Sequence, residues 1–442
     1  MLNKYIIALV AAQNSILASA RPAAGQSRAN SLSLLVENAE IHARAVGPAT
    51  YTPNPNIGGG GSSFKDSAHF RVYGSSDSTA ATTLKHLEAA HACFVETLGW
   101  ATPAQGWPSK ADKNYYKTNV YSRTTSQLPG AAGVMGADGA AGLAWVEVVD
   151  QYLTNPSVTV HEYGHALTYA ERNWIDQGRT GAWWEPIANL VADIYISTPT
   201  CGAAKAAQGL SSTPGASVID LQTVISRSYQ VLVDGTPNSG NYYESWPFIA
   251  YLLNNPDNYS GLGSNTLLNM FRKYTLNSND TPLHALSKLL SGTDATVQKV
   301  VGRYWAHMAY VDIGHAKARE AFVAERSRLT YGNLDSAGKV KSDRAPRYMG
   351  ANINPLKVTG STVGVTITSS GSYTATLVVS SGGKFTYTDV VNGKASVTVA
   401  SGSEVSLVVA NTPTLTQYDP FAIPSALNQG LQYSVQLTGA TV

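Results

Sequence analysis

His161, Glu162 and His165 form a His-Glu-x-x-His pattern in a segment, residues 155–172, that reads as a helix. Asn155 suits the N-cap of that helix and Pro156 its first position. Residues four apart on an α-helix lie ~40° apart and one turn along, so both imidazoles project from one face. That is the separation two ligands of a tetrahedral zinc ion require. Glu162 points ~100° away around the helix, beside the open position of such an ion rather than on it. A carboxylate there can take a proton from a water held at the metal. The expected cofactor is Zn2+, with His161 and His165 as ligands and Glu162 as the catalytic base.

A zinc centre that works on a substrate takes three protein ligands and keeps one position open. Glu185 lies twenty residues after His165, inside the stretch Trp183–Asp193. A second helix, expected over 182–196 and packed antiparallel to the first, would return it to the histidines. Its neighbours Trp184, Ile187 and Leu190 point to a largely buried helix. An unpaired carboxylate is costly in such a place, and a cation relieves the cost. The rival is Glu171, ten residues after His161, where one branch of zinc peptidases carries its third histidine. That branch needs a glycine where this chain has Thr168. Asn189, one turn beyond Glu185, is a candidate to hydrogen-bond a ligand histidine. Gly164 costs the first helix about 1 kcal/mol relative to alanine, which suggests a close neighbour there. Tyr242 and Tyr243 precede Ser245, Trp246 and Pro247; Tyr243 is the candidate to offer a phenol to a tetrahedral intermediate. His284, His307 and His315 read as structural or solvent-facing rather than catalytic.

His161, Glu162, His165 and Glu185, with nineteen residues between His165 and Glu185, resemble the metal motif of the gluzincins, the thermolysin-like zinc peptidases. The segment Trp184–Asn189 looks like a variant of that group's second motif, with Asn189 where the group has an Asp. The likeness to thermolysin covers about residues 140–195. The whole layout, over most of 65–442, resembles a secreted fungal and bacterial family with the zincin motif, a helical region with a Ser-Trp-Pro segment, and a C-terminal β-sandwich. The resemblance implies an α+β zincin-like domain and a zinc metallopeptidase acting on a protein or peptide. Trp145 and Glu147, on the strand before the motif, fall in a region that in zincins includes the sheet edge pairing with an extended peptide.

Composition narrows the alternatives. The 442 residues are 43% hydrophobic and only 14% charged, and 31 Lys plus Arg face 29 Asp plus Glu, a net charge of +2. No basic block is present, which argues against nucleic-acid binding or a polybasic membrane protein. No apolar run reaches the ~18 residues of a membrane span. Lys4 precedes an apolar stretch, Tyr5 to Ala12, and Ala18–Ala20 fits a small-residue cleavage site. The reading is a signal peptide over 1–20 and a secreted, extracellular, monomeric protein. The two cysteines, Cys93 and Cys201, would then form a disulfide worth up to ~4 kcal/mol by loop closure.

Residues 21–64, ending in two prolines and four glycines, read as a linker or pro-segment. A zincin-like domain is expected over 65–350. Its strands should lie at 69–73, 117–122 and 142–149. Helices are expected at 80–98, 155–172 and 182–196, then at 218–231, 245–253, 266–274, 283–290, 297–307 and 315–328. Short alternating strands recur every ~10 residues from 363 to 409 and indicate a β-sandwich over 352–442. Two other functions fit less of the pattern. One is a zincin-fold protein that holds metal without peptidase turnover. The other is a cell-wall or carbohydrate binder acting through the sandwich.

Overall fold

The computed structural model describes residues 47–106 and 114–442; the expected signal peptide lies outside them. The chain is mixed α and β and forms two compact units, residues up to 175 with 187–215, and 176–186 with 216–442. The units therefore divide elsewhere than the change in sequence texture near Pro355.

The first unit is built on a five-stranded sheet in the order β1-β2-β3-β5-β4. The strands are β1 (Phe64–Asp66), β2 (Phe70–Tyr73), β3 (Thr118–Arg123), β4 (Gly133–Asp138) and β5 (Leu143–Val149). β2, β3 and β5 run parallel, while β1 and β4 run antiparallel to their neighbours at the two edges. Alternation decides the faces: Val72, Val120, Val146 and Val148 are buried, whereas Trp145 and Glu147 on β5 are only half-buried. β5 is an interior strand. The sheet edge expected around Trp145 and Glu147 is instead β4, which pairs with β5 from Gly133 to Asp138. β4 went unread because Gly133 and Gly136 break the β-branched texture of a strand.

Two helices cover the sheet. Helix α1 (Asp77–His91) is capped by Ser76 and runs into a π-helical turn, Ala92–Thr97, rather than continuing as α-helix to residue 98. Helix α2 (Pro156–Ala170) packs on α1, β4 and β5. Asn155 caps it by accepting from the Ser157 N–H at 3.0 Å. Residues 51–61, which composition reads as linker, are bound to the sheet. Asn119 Nδ2 donates to the carbonyls of Asn54 and Ile57 at 2.8 and 2.9 Å, and Tyr121 Oη donates to Ile57 O at 2.5 Å. Helix α3 (Trp184–Ser197) and a short helix α4 (Gly202–Ala207) follow. Cys93 in the π-turn is disulfide-bonded to Cys201 ahead of α4, with Cα atoms 5.2 Å apart.

The second unit combines helices with the C-terminal strands. Its larger sheet runs β13-β6-β11-β8-β9 and its smaller one β10-β7-β12. Here β6 is Ala351–Val358, β7 Thr362–Ser369, β8 Tyr373–Ser381 and β9 Lys384–Asp389; β10 is Lys394–Thr398, β11 Glu404–Asn411, β12 Tyr433–Thr438 and β13 Ala440–Thr441. Val405, Leu407 and Val409 of β11 join Val363, Val365 and Leu377 in the core between the sheets. The opposite face of the larger sheet is covered as well, by a helix over Val297–Met308 packed on β6, β8 and β11. This double burial explains why Val378 and Val408 are apolar where a solvent-facing sheet would be polar.

The helix expected over 218–231 is only a turn, Leu221–Val224. Backbone carbonyls that would continue it are taken by distant donors: Ser226 O by Arg344, Ser228 O by Ala351 N and Tyr229 O by Arg347 N. His284 completes the capping box of helix Pro282–Leu290, and His315 is the N-cap of helix Ala316–Glu325. No helix of the described residues is long and apolar enough to cross a membrane.

His307 ties its helix to strand β9. Its Nε2 lies 2.9 Å from Asp257 Oδ2 and its Nδ1 2.6 Å from Asp312 O, and Tyr387 of β9 closes the group, 2.8 Å from Asp312 Oδ2. Burial alone would push this imidazole down, but hydrogen bonds to Asp257 and Asp312 outweigh it and hold its pKa above 6.5. The stability it contributes is complete below the unfolded-state pKa and is lost as pH rises through the folded one. NMR titration should place the His307 midpoint above 6.5, and Asp257→Asn should move it down; a wild-type midpoint at or below 6.5 would contradict the assignment.

Candidate metal centre

Helix α2 is buried from Thr159 to Tyr169, so its histidines face protein rather than solvent. His161 and His165 stand one turn apart with ring centroids 4.8 Å from each other. Glu185, in the first turn of α3, brings a carboxylate to them: one ligand atom from each of the three residues lies within 4.8 Å of the others. Their relative exposures are 7%, 7% and 5%. Two imidazoles and one carboxylate are the donor set of catalytic zinc sites, with a fourth position left for water. Hard cations such as Ca2+ and Mg2+ favour oxygen ligands instead, so the residues present fit zinc.

The orientation of His161 is fixed from α3. Its Nδ1 lies 2.9 Å from Asn189 Oδ1, one turn beyond Glu185. An amide oxygen accepts a hydrogen bond there, so Nδ1 carries the hydrogen and Nε2 keeps its lone pair. Asn189 can therefore hold the ring as a carboxylate would, without adding a negative charge.

Two glycines allow the approaches on which the site depends. A Cβ on Gly164 would come within 3.1 Å of both Ala188 Cα and Val191 Cβ on α3. The absent side chain lets the two helices meet at van der Waals distance, close to Asn189. A Cβ on Gly133, at the start of edge strand β4, would fall 2.7 Å from Glu162 Cγ and 2.9 Å from its Oε1. The Glu162 carboxyl thus rests against the backbone of the edge strand, at 1% exposure. Sequence reading placed Glu162 but missed Gly133; the only signal was a glycine-rich run whose strand went unrecognised.

Glu171 is elsewhere engaged. It ends α2, and its Oε1 accepts the Ala101 N–H at 3.0 Å. Tyr242 and Tyr243 lie on a short helix, Asn241–Glu244, with ring centroids 4.9 Å apart. Burial, and then the negative charge of Glu185, push the Tyr242 phenol above its ordinary range.

Residues 75–442 match a family described as a family of unknown function, DUF6055, and the chain belongs to it. No curated protein and no solved structure matches the chain.

The close helix contact carries a prediction. Gly164→Ala adds helix propensity of about 1 kcal/mol, but its methyl meets backbone and a Cβ that cannot swing aside. Overpacking of this kind costs about 1–3 kcal/mol. Chemical denaturation should show a net loss of stability, and an unchanged or increased stability would mean that the helices have room to spare.

Proposed function

We propose that this chain is a zinc-dependent metalloendopeptidase that hydrolyses peptide bonds of protein or peptide substrates. The observation that carries the reading is the convergence of His161, His165 and Glu185, with Glu162 on the same helix as the two histidines. The mixed sheet with an antiparallel edge strand beside Glu162 supports it. So does the disulfide, which suits the oxidising, extracellular setting expected of a secreted enzyme.

His161, His165 and Glu185 would hold the ion. Zn2+ bound there would act as a Lewis acid and lower the pKa of a water toward ~7. The part of the protein is to place the groups that move protons. Glu162 takes the proton of the attacking water and passes it to the departing amine, with its carboxyl fixed against Gly133. Strand β4 offers backbone donors and acceptors to an extended substrate, which would set the scissile bond next to Glu162. Asn189 keeps His161 in the tautomer that leaves Nε2 for the metal. A phenol from the Tyr242–Tyr243 pair would stabilise the developing oxyanion; Tyr243 is the residue proposed for this role, and Tyr242 is its competitor.

Zinc content and cleavage of unfolded casein test the roles separately. Glu162→Gln should keep zinc and lose turnover by more than ~10²-fold. Glu185→Ala should lose zinc, and Glu171→Ala should retain it. Asn189→Ala should weaken zinc affinity by ~10–100-fold. Tyr243→Phe should lower kcat and leave zinc in place; if Tyr242→Phe does so instead, the oxyanion role passes to Tyr242. Loss of zinc in Glu171→Ala with retention in Glu185→Ala would overturn the ligand set. Wild-type protein that holds zinc but cleaves no polypeptide would overturn the activity.

A further inference from the structure

A second group of metal-ligating side chains lies outside the His161 centre. His69, His91 and Glu96 each offer one ligand atom within 4.8 Å of the others. His69 precedes β2, His91 is the last residue of α1, and Glu96 sits in the π-turn that follows. The π-turn is what gathers them. In a continuing α-helix a residue five positions on would stand ~140° around from His91. The wider i→i+5 winding brings Glu96 back toward the side of His91, and such turns recur at functional sites.

The two imidazoles are held as ligands usually are. His69 Nδ1 lies 2.6 Å from Glu88 Oε2, and the other Glu88 oxygen accepts the His69 backbone N–H at 2.8 Å. His91 Nδ1 lies 3.2 Å from Tyr163 Oη. Each ring thus has its Nδ1 engaged by a carboxylate or hydroxyl, which leaves Nε2 as the ligand atom. His91 Nε2 is 3.8 Å from Glu96 Oε1, near the ~3.3 Å spacing of two ligands ~2.0–2.1 Å from a tetrahedral zinc. The rings stack at 4.0 Å and 21° from parallel, so an ion shared by both Nε2 atoms requires the rings to splay; Tyr51 walls them edge-on, 4.5 Å from His69 and 5.7 Å from His91. Glu96 has a side chain 47% exposed, so the group opens to solvent on its carboxylate side.

We propose that His69, His91 and Glu96 form a second site for a divalent cation of the zinc class. Two nitrogens and one carboxylate oxygen select such an ion over Mg2+ or Ca2+. The site ties the entry of β2 to the end of α1 and to the π-turn that carries the Cys93 disulfide. It also reaches the first centre, because Tyr163 stands between Glu162 and Gly164 on α2. An ion at the second site would restrain His91 and, through the Tyr163 hydroxyl, the helix that bears His161 and His165.

The test separates this site from the proposed catalytic one. Full-length protein is stripped with chelator and titrated with Co2+, read by visible absorption, and with Zn2+, read by elemental analysis. The wild type should take up two equivalents per chain. The His161→Ala/His165→Ala variant should still take up one, and that variant's melting temperature should rise when Zn2+ is added. Adding Glu96→Gln should weaken the remaining equivalent at least ~10-fold, and adding His69→Gln should abolish it. Glu96 is exposed enough for its substitution to leave folding intact, which circular dichroism checks in each variant. No uptake by the His161→Ala/His165→Ala variant would overturn the second site, as would uptake unaffected by both Glu96→Gln and His69→Gln. A single wild-type equivalent lost with Glu96→Gln but kept without His161 and His165 would support the second site and overturn the catalytic one.

Discussion

The close packing of α2 on α3 at Gly164 is the constraint on which the arrangement of the candidate metal ligands depends. A side chain there would press on Ala188 and Val191, which flank Asn189, the residue 2.9 Å from His161 Nδ1. A ligand histidine without a partner at Nδ1 can turn, and a turning ring loses affinity for metal. The same helix is pinned from other sides. Gly133 receives the Glu162 carboxyl, and Tyr163 meets His91. Buried helices normally carry apolar side chains all round. Here Thr159, His161, Tyr163 and Thr168 of α2 are buried with partners at defined atoms: Leu153 O, Asn189 Oδ1, His91 Nδ1 and Gly164 O.

The second unit rests on a different device. Its larger sheet has both faces covered, one by the smaller sheet and one by the helix over Val297–Met308. The polar groups at that helix–sheet contact are joined as well: Arg303 Nη2 lies 2.9 Å from Asp389, and Trp305 Nε1 donates to Met349 O at 2.8 Å.

The convergence of His161, His165 and Glu185 could be read from sequence because local rules dominate there. Asn155 and Pro156 start a helix, and the spacing of His161 and His165 puts them on one face of it. Glu185 was legible through the cost of a buried carboxylate, and the Cys93–Cys201 bond through the presence of two cysteines only. What escaped depended on distant partners. Residues 226–229 bond to 344–351 instead of forming helix. Strand β6 carries Asn352 and Asn354 inward, where they donate to Arg344 O and Leu407 O, so its alternation looked polar. Strand β4 was masked by its glycines. The π-turn carries no periodic signature, so the meeting of Glu96 with His91 could not be seen before the backbone was known.

The most direct measurement of the central claim is anomalous diffraction at the zinc edge from crystals grown with Zn2+. The account requires a peak at the His161 centre, with both imidazoles and the Glu185 carboxylate ~2.0–2.2 Å away and Glu162 near the ion but not bound to it. A peak with Glu171 as its third ligand would contradict the account. So would a fourth protein ligand closing the site, or no density between His161 and His165 in crystals that bind zinc elsewhere.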